Sequence, residues 1–144
     1  MTKCPDCGAA YASAQENCAT RFDALLALDH SRTEPWGSRH SLAFSTFALQ
    51  HPGRFTREVL QRSWFLLVSV YEKGVSADRV AGALRRFGKR SPDWDLAPLP
   101  PGNPAASFRV TIADLGAFAA ESYPAQLDDW CRATLEAWRA LARS

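Results

Sequence analysis

The sequence predicts an all-α fold, a bundle of five to six helices, on three observations. Apolar residues recur at helical spacing in segment after segment of the 144-residue chain. Glycine and proline fall between those segments, at Pro35, Gly37, Pro52, Gly53, Gly74 and Gly88. One stretch, Ser107 to Ile112, alternates like a strand, and a single strand has nothing evident to pair with. A chain 47% hydrophobic and 22% charged has the composition of one soluble domain, residues 1–144, with a single sizeable core. A disordered tail, a collagen-like rod and a disulfide-dense miniprotein are thereby excluded.

The elements follow in order. Residues 1–17 are a short Cys-bearing knuckle. From Cys18, the run CATRFDALLALDH sets Phe22, Leu25, Leu26 and Asp29 at i, i+3, i+4 and i+7, one amphipathic helix of about three turns. Ser31–Gly37 is a loop, and Ser38 is placed to cap a second helix with the stripe Leu42, Phe44, Phe47, Ala48, ended by Pro52 and Gly53. Thr56 opens a third helix to about Glu72, apolar nearly all round and therefore expected to be the central, most buried one. Gly74 stops it. Ser76 caps a fourth, with Val80, Leu84 and Phe87 as its stripe and Gly88 closing it, so that residues 18–90 form the helical core.

Residues 91–106 are a loop, since Ser91–Pro104 carries five prolines. Within 107–144, Thr111 and Asp114 resemble the start of a short helix ending near Tyr123. After Pro124 a last helix places Leu127, Trp130, Cys131, Thr134, Trp138 and Leu141 on one face.

Cys4-Pro-Asp-Cys7-Gly8 is half of a zinc knuckle: two thiolates two residues apart can bind one tetrahedral ion, and Gly8 supplies backbone freedom. Cys18 follows after ten residues. A redox pair would use the same spacing, but that motif opens a helix after a strand, and nothing precedes Cys4 that could be the strand. The expected cofactor is Zn2+. Its fourth ligand is to be sought among His30, His40, His51, Cys131 and an Asp. His30 would lie about 18 Å from Cys18 along the first helix, at 1.5 Å per residue. An antiparallel second helix carries His51 back beside Cys18, which makes Cys4, Cys7, Cys18 and His51 the expected ligand set, with His40 second for the fourth place. Asp23 is a candidate hydrogen-bond partner for the His51 ring. Cys131, on an apolar face, reads as core. The same hairpin groups Asp29, His30, Glu34 and His40 at the opposite corner, either as helix caps or as groups able to bind a second metal or do acid–base work.

The formal charge of +2 hides a segregation. Residues 54–90 carry nine basic and three acidic side chains, whereas 1–53 and 91–144 are net negative. A Gly turn between two helices, with Arg79, Arg85 and Arg86 on the second, resembles a helix–turn–helix. Any short helical hairpin looks the same, so DNA or RNA binding through 54–90 is a secondary expectation.

Taken together, CPDCG, C-x3-FDALLALD, the helix ending in FALQHPGRFT, and the pair Trp130 and Trp138 resemble a bacterial family known only as a domain of unknown function. The resemblance covers nearly the whole chain, and the Cys block and Leu49–Pro52 (LQHP) are its most specific parts. It implies a small protein with a zinc site and maps onto Cys4, Cys7, Cys18, His40 and His51. Where the family pattern has paired histidines near position 40, this chain has Arg39-His40. No activity follows from it.

Two functional classes remain. The first is a zinc-stabilised helical protein acting as a binding or accessory module for an unknown protein or small-molecule partner, with a closed structural site. The second is a metalloenzyme with an open site assisted by Asp29, His30, Glu34 or His40, and an apolar pocket beside the ion. No membrane association is expected, because the longest apolar stretch, Trp64 to Val70, is far short of the roughly 20 residues that span a bilayer. The start MTKCPDCGAA is unlike a signal peptide, so the expected compartment is the cytoplasm, where thiols stay reduced.

Overall fold

The computed structural model describes residues 2–87 and 97–143. Its first element is a small antiparallel hairpin, β1 (Thr2–Lys3) against β2 (Ala10–Tyr11), with Thr2 opposite Tyr11 and Lys3 opposite Ala10. The body is helical, as expected: α1 (Cys18–His30), α2 (His40–Gln50), α3 (Arg57–Tyr71), α4 (Ala77–Phe87) and α5 (Tyr123–Arg143). No helix among the described residues is long and apolar enough to cross a membrane.

α1 spans the range read from its periodicity, and a capping box fixes its start. Asn17 Oδ1 accepts from the Thr20 amide at 2.9 Å, and Thr20 Oγ1 accepts from the Asn17 amide at 3.1 Å. α2 begins one residue later than a cap at Ser38 would place it. Ser38 instead lies in a 3-10 turn (Gly37–Arg39), where its amide and hydroxyl both donate to the Glu34 carboxylate. Thr56 and Ser76 cap α3 and α4 as expected, accepting from the Val59 and Arg79 amides. Gly88, expected to close α4, lies outside the described residues, as do residues 89–96 of the basic and Pro-rich segments.

The central helix is α2 rather than α3. Leu42, Ala43 and every residue from Ser45 to Gln50 are buried, because α2 packs against α3, α5, α1 and α4 together. Its small residues, Ala43 and Ala48, are wholly covered and let neighbouring backbones approach. α3 leaves Phe65 and Val70 half-buried. Trp64, Trp130 and Trp138 are buried, with Trp64 of α3 and Trp138 of α5 6.4 Å apart between ring centroids, and Cys131 is core as expected, its Sγ 3.0 Å from Thr46 Oγ1.

Ser107–Ile112 forms no strand, and the expected short helix is a single 3-10 turn, Ile112–Leu115. Its capping box is present: Asp114 accepts from the Thr111 amide at 2.8 Å. The turn is held to α1 by Arg21, whose guanidinium donates to the carbonyls of Ile112 and Gly116. Those carbonyls are then no longer free to extend a helix. The described part of the Pro-rich loop runs along α3, where Gln61 accepts from the Leu99 amide and donates to the Ala97 carbonyl.

Candidate metal centre

Three separate chain segments deliver four donor groups to one point. The β1–β2 hairpin carries Cys4 and Cys7 in its turn, α1 presents Cys18 at its first residue, and α2 ends on His51. The four ligand atoms all lie within 4.8 Å of one another, and all four residues are buried. A tetrahedral ion with sulfur at about 2.3 Å requires donors about 3.8 Å apart, so little movement separates this arrangement from a coordination sphere.

The knuckle itself is built by backbone bonds. The Cys4 amide donates to the Ala9 carbonyl at 2.8 Å, and the Gly8 amide donates to the Cys4 carbonyl at 2.9 Å. Gly8 takes φ +86°, a left-handed conformation that glycine adopts freely, and a Cβ there would meet Ala106 at 3.4 Å. The adjoining bond from the Ala106 amide to the Asp6 carbonyl, 2.8 Å, ties the knuckle to the Pro-rich loop.

His51 is wholly buried and stacks on Phe47, ring centroids 4.1 Å apart. Its Nδ1–H donates to the Phe47 carbonyl at 2.8 Å, which fixes the tautomer and leaves Nε2 as the lone-pair nitrogen. Nε2 is buried with no hydrogen-bond partner. An imidazole nitrogen left so, facing three thiols, is what a metal ligand requires. The donors present therefore fit an ion of the zinc type.

The sulfurs show the same demand. Cys7 and Cys18 Sγ are 3.5 Å apart, and the Tyr11 hydroxyl donates to Cys18 Sγ at 3.0 Å. The hydrogen bond from Cys7 draws the Cys18 thiol down to about 4, against burial, with the bond from the Tyr11 hydroxyl adding to the effect. The Cys7–Cys18 bond and burial hold Cys7 well above the ordinary thiol range. A buried thiolate needs a nearby positive charge, and a divalent cation bound by all three sulfurs would supply it. Arg54 Nη2 stands 3.9 Å from Cys4 Sγ and 3.1 Å from Asp6 Oδ2, so a cation already flanks the cluster.

Tyr11 and Arg54 were not legible as site residues: no spacing rule links either to the Cys motif. Asp23, by contrast, is exposed on α1, and the Phe47 carbonyl takes the role expected of it. His40 is not in the cluster. It sits at the other end of α2, where its Nδ1 is 3.0 Å from Asp29 Oδ2. His30 approaches His40 edge-on, ring centroids 5.8 Å apart, while Glu34 turns away to Ser38 and Arg39. That corner thus gathers Asp29, His30 and His40 but not Glu34, and α1 holds it about 16 Å from Cys18 at 1.5 Å per residue. Assistance to an ion at the Cys cluster is out of reach for these side chains.

A cleft of about 470 Å³ runs past the Cys4 and Cys18 side of the cluster, walled by Lys3, Tyr11, Glu16, Asn17 and Arg54. The basic segment is partly consumed by the fold: Arg54 pairs with Asp6, Arg57 donates to the Leu99 carbonyl and Arg62 to the Leu84 carbonyl. Arg79, Arg85 and Arg86 are exposed on α4.

The model of a family described as a family of unknown function, DUF5946, matches residues 2–139, which takes in all four clustered residues and both Trp130 and Trp138. The chain belongs to this family. No curated protein and no solved structure matches the chain. In this DUF5946 member each residue of Leu49–Pro52 has its own place in the fold. The Leu49 carbonyl accepts from Trp138 Nε1 at 2.9 Å, and Gln50 Nε2 donates to the Val110 carbonyl and Thr134 Oγ1. His51 then enters the cluster, and Pro52 starts a 3-10 turn that carries Arg54 to Cys4.

Proposed function

We propose that Cys4, Cys7, Cys18 and His51 bind one Zn2+ as a closed structural site, and that the protein acts as a binding or accessory module. The observation that carries this reading is His51 Nε2, fully buried, without a hydrogen-bond partner, and aimed at three thiols. A donor set of three sulfurs and one imidazole suits zinc over hard, oxygen-seeking cations. Four protein donors complete a tetrahedron, so no position is left for a reacting water. Among the described residues, no Asp, Glu, His or Cys beyond these four belongs to the cluster, and Glu16 in the wall of the neighbouring cleft is not a member of it. The ion would join the hairpin, the start of α1 and the end of α2.

The test is metal content together with stability. The purified protein is expected to hold one zinc per chain, and its removal by a chelator should lower the melting temperature and release the hairpin, because binding energy of the ion is folding energy. Unchanged helical circular dichroism and melting temperature after complete zinc removal would refute the structural role. A spectroscopically detected metal-bound water in cobalt-substituted protein would refute the closed site.

A further inference from the structure

A second site lies away from the Cys cluster, in a cleft of about 400 Å³ between α2, α3 and α4. Volumes of that order hold small organic ligands. Its apolar wall is made by Phe44, Val59, Leu66, Ala81 and Leu84. Three cationic or protonatable groups line it as well: His40 from α2, Arg62 from α3 and Arg85 from α4. No carboxylate among the described residues lines it. Arg62 is steadied by its bond to the Leu84 carbonyl, while Arg85 is exposed at the rim.

The carboxylate nearest this set stands behind the wall. Asp29 is buried, its Oδ2 is 3.0 Å from His40 Nδ1, and its Oδ1 has no hydrogen-bond partner. Asp29 therefore orients the imidazole, leaving Nε2 as the nitrogen on the side away from the carboxylate. A buried acid behind an oriented histidine, at an apolar cleft flanked by two guanidinium groups, is more than helix capping requires. A helix cap needs neither the cleft nor the arginines.

We propose that this cleft binds a small amphiphilic anion, with its charged head between His40 and Arg85 and its apolar tail against Phe44, Val59 and Leu66. Charge complementarity selects the anion, and the apolar wall selects a ligand with a hydrocarbon portion over a bare ion such as inorganic phosphate. The ligand gives the binding module of the preceding section something to bind, and rests on that part of the reading alone.

The experiment is calorimetric titration of the zinc-loaded full chain with octanoate, octyl phosphate, octanol and octylamine. Saturable binding of at least one anion is expected. Octanol and octylamine should bind about tenfold more weakly or worse, since charge-assisted hydrogen bonds are lost. Whichever of octanoate and octyl phosphate binds more tightly identifies the head group as carboxylate or phosphate. Arg85→Glu should weaken the anion about tenfold or more, while Arg86→Glu, the same charge change one residue on and outside the cleft, should leave it within about twofold. Ala81→Trp, which fills the cleft, should abolish binding.

No saturable anion binding, equal binding of octanol, or equal losses from Arg85→Glu and Arg86→Glu would each overturn the proposal. Zinc content and melting temperature are read on the same samples. Lost anion binding with zinc and stability intact rejects this site and leaves the clamp standing. Anion binding in a chain that takes up no zinc, or whose melting temperature zinc leaves unchanged, rejects the clamp and leaves this site standing.

Discussion

Replacing His51 by asparagine isolates the metal-facing nitrogen. The shorter side chain introduced by His51→Asn can keep an N–H directed at the Phe47 carbonyl, the bond now made by Nδ1 at 2.8 Å, but offers nothing where Nε2 stands. Outer partners of metal ligands are typically worth 10- to 100-fold in affinity, so loss of a ligand itself should cost about 100-fold or more. At saturating zinc, a 100-fold weaker ion stabilises the native state by about 2.7 kcal/mol less. A chain of 144 residues unfolds with about 0.3 kcal/mol per degree, so the zinc-dependent part of the melting temperature should shrink by about 9 °C.

The variant also loses the stack on Phe47, a cost present with and without zinc. The decisive quantity is therefore a difference: the rise in melting temperature on adding zinc, measured for native protein and for His51→Asn. Competition with a chromophoric chelator gives the affinities directly. If zinc raises the melting temperature of both proteins equally, and both hold it with equal affinity, His51 is not a ligand and its buried Nε2 has another cause.

Two further outcomes test the supporting structure. Gly8→Ala forces an L side chain to φ +86° against Ala106, which should cost about 1–2 kcal/mol and loosen the zinc site; thermal melts and chelator competition would read both, and an unchanged melt would show that the knuckle adapts freely. For Asp29, burial raises the carboxyl pKa above its ordinary value, while His40 pulls it down. A raised native pKa means that its contribution to stability is present below pH 3.8 and is lost as pH rises through the window above it. Asp29→Asn cannot ionise, so the melting temperature of native protein relative to that variant should decline as pH rises through this window; a difference independent of pH would contradict it.

The helical body was legible because each helix carries a local signal. α1 shows its periodicity from Phe22 to Asp29, and Thr56 and Ser76 announce α3 and α4. The convergence of His51 on Cys18 was also legible, since a short connection forces an antiparallel return. What escaped was set by tertiary contact. The burial of α2 from Ser45 to Gln50 depends on partner helices that its own sequence does not name. The short helix expected from Thr111 to near Tyr123 is one 3-10 turn, with Arg21 from α1 bonded to the Ile112 and Gly116 carbonyls. The β1–β2 hairpin has only two residues per strand, too few for any periodicity to register.

The metal cluster and the tryptophan core share one piece of chain, and that sharing bears on how the ion would act. Leu49 is tied to Trp138, Gln50 to Thr134 and the Val110 carbonyl, and His51 joins the three cysteines, in three consecutive residues at the end of α2. A ligand set confined to the hairpin would stabilise the hairpin alone. With His51 as a member, pulling on the ion pulls on the last turn of α2, and through it on α5. Withdrawal of zinc should therefore be felt at Trp138, whose Nε1–H bond to the Leu49 carbonyl lies two residues from the site. The indole N–H of Trp138 should exchange with solvent faster after chelation, whereas that of Trp36, bonded to the Phe118 carbonyl away from the ion, should change little. Equal acceleration of both would mean general loosening of the fold, and no change in either would confine the ion's influence to the hairpin.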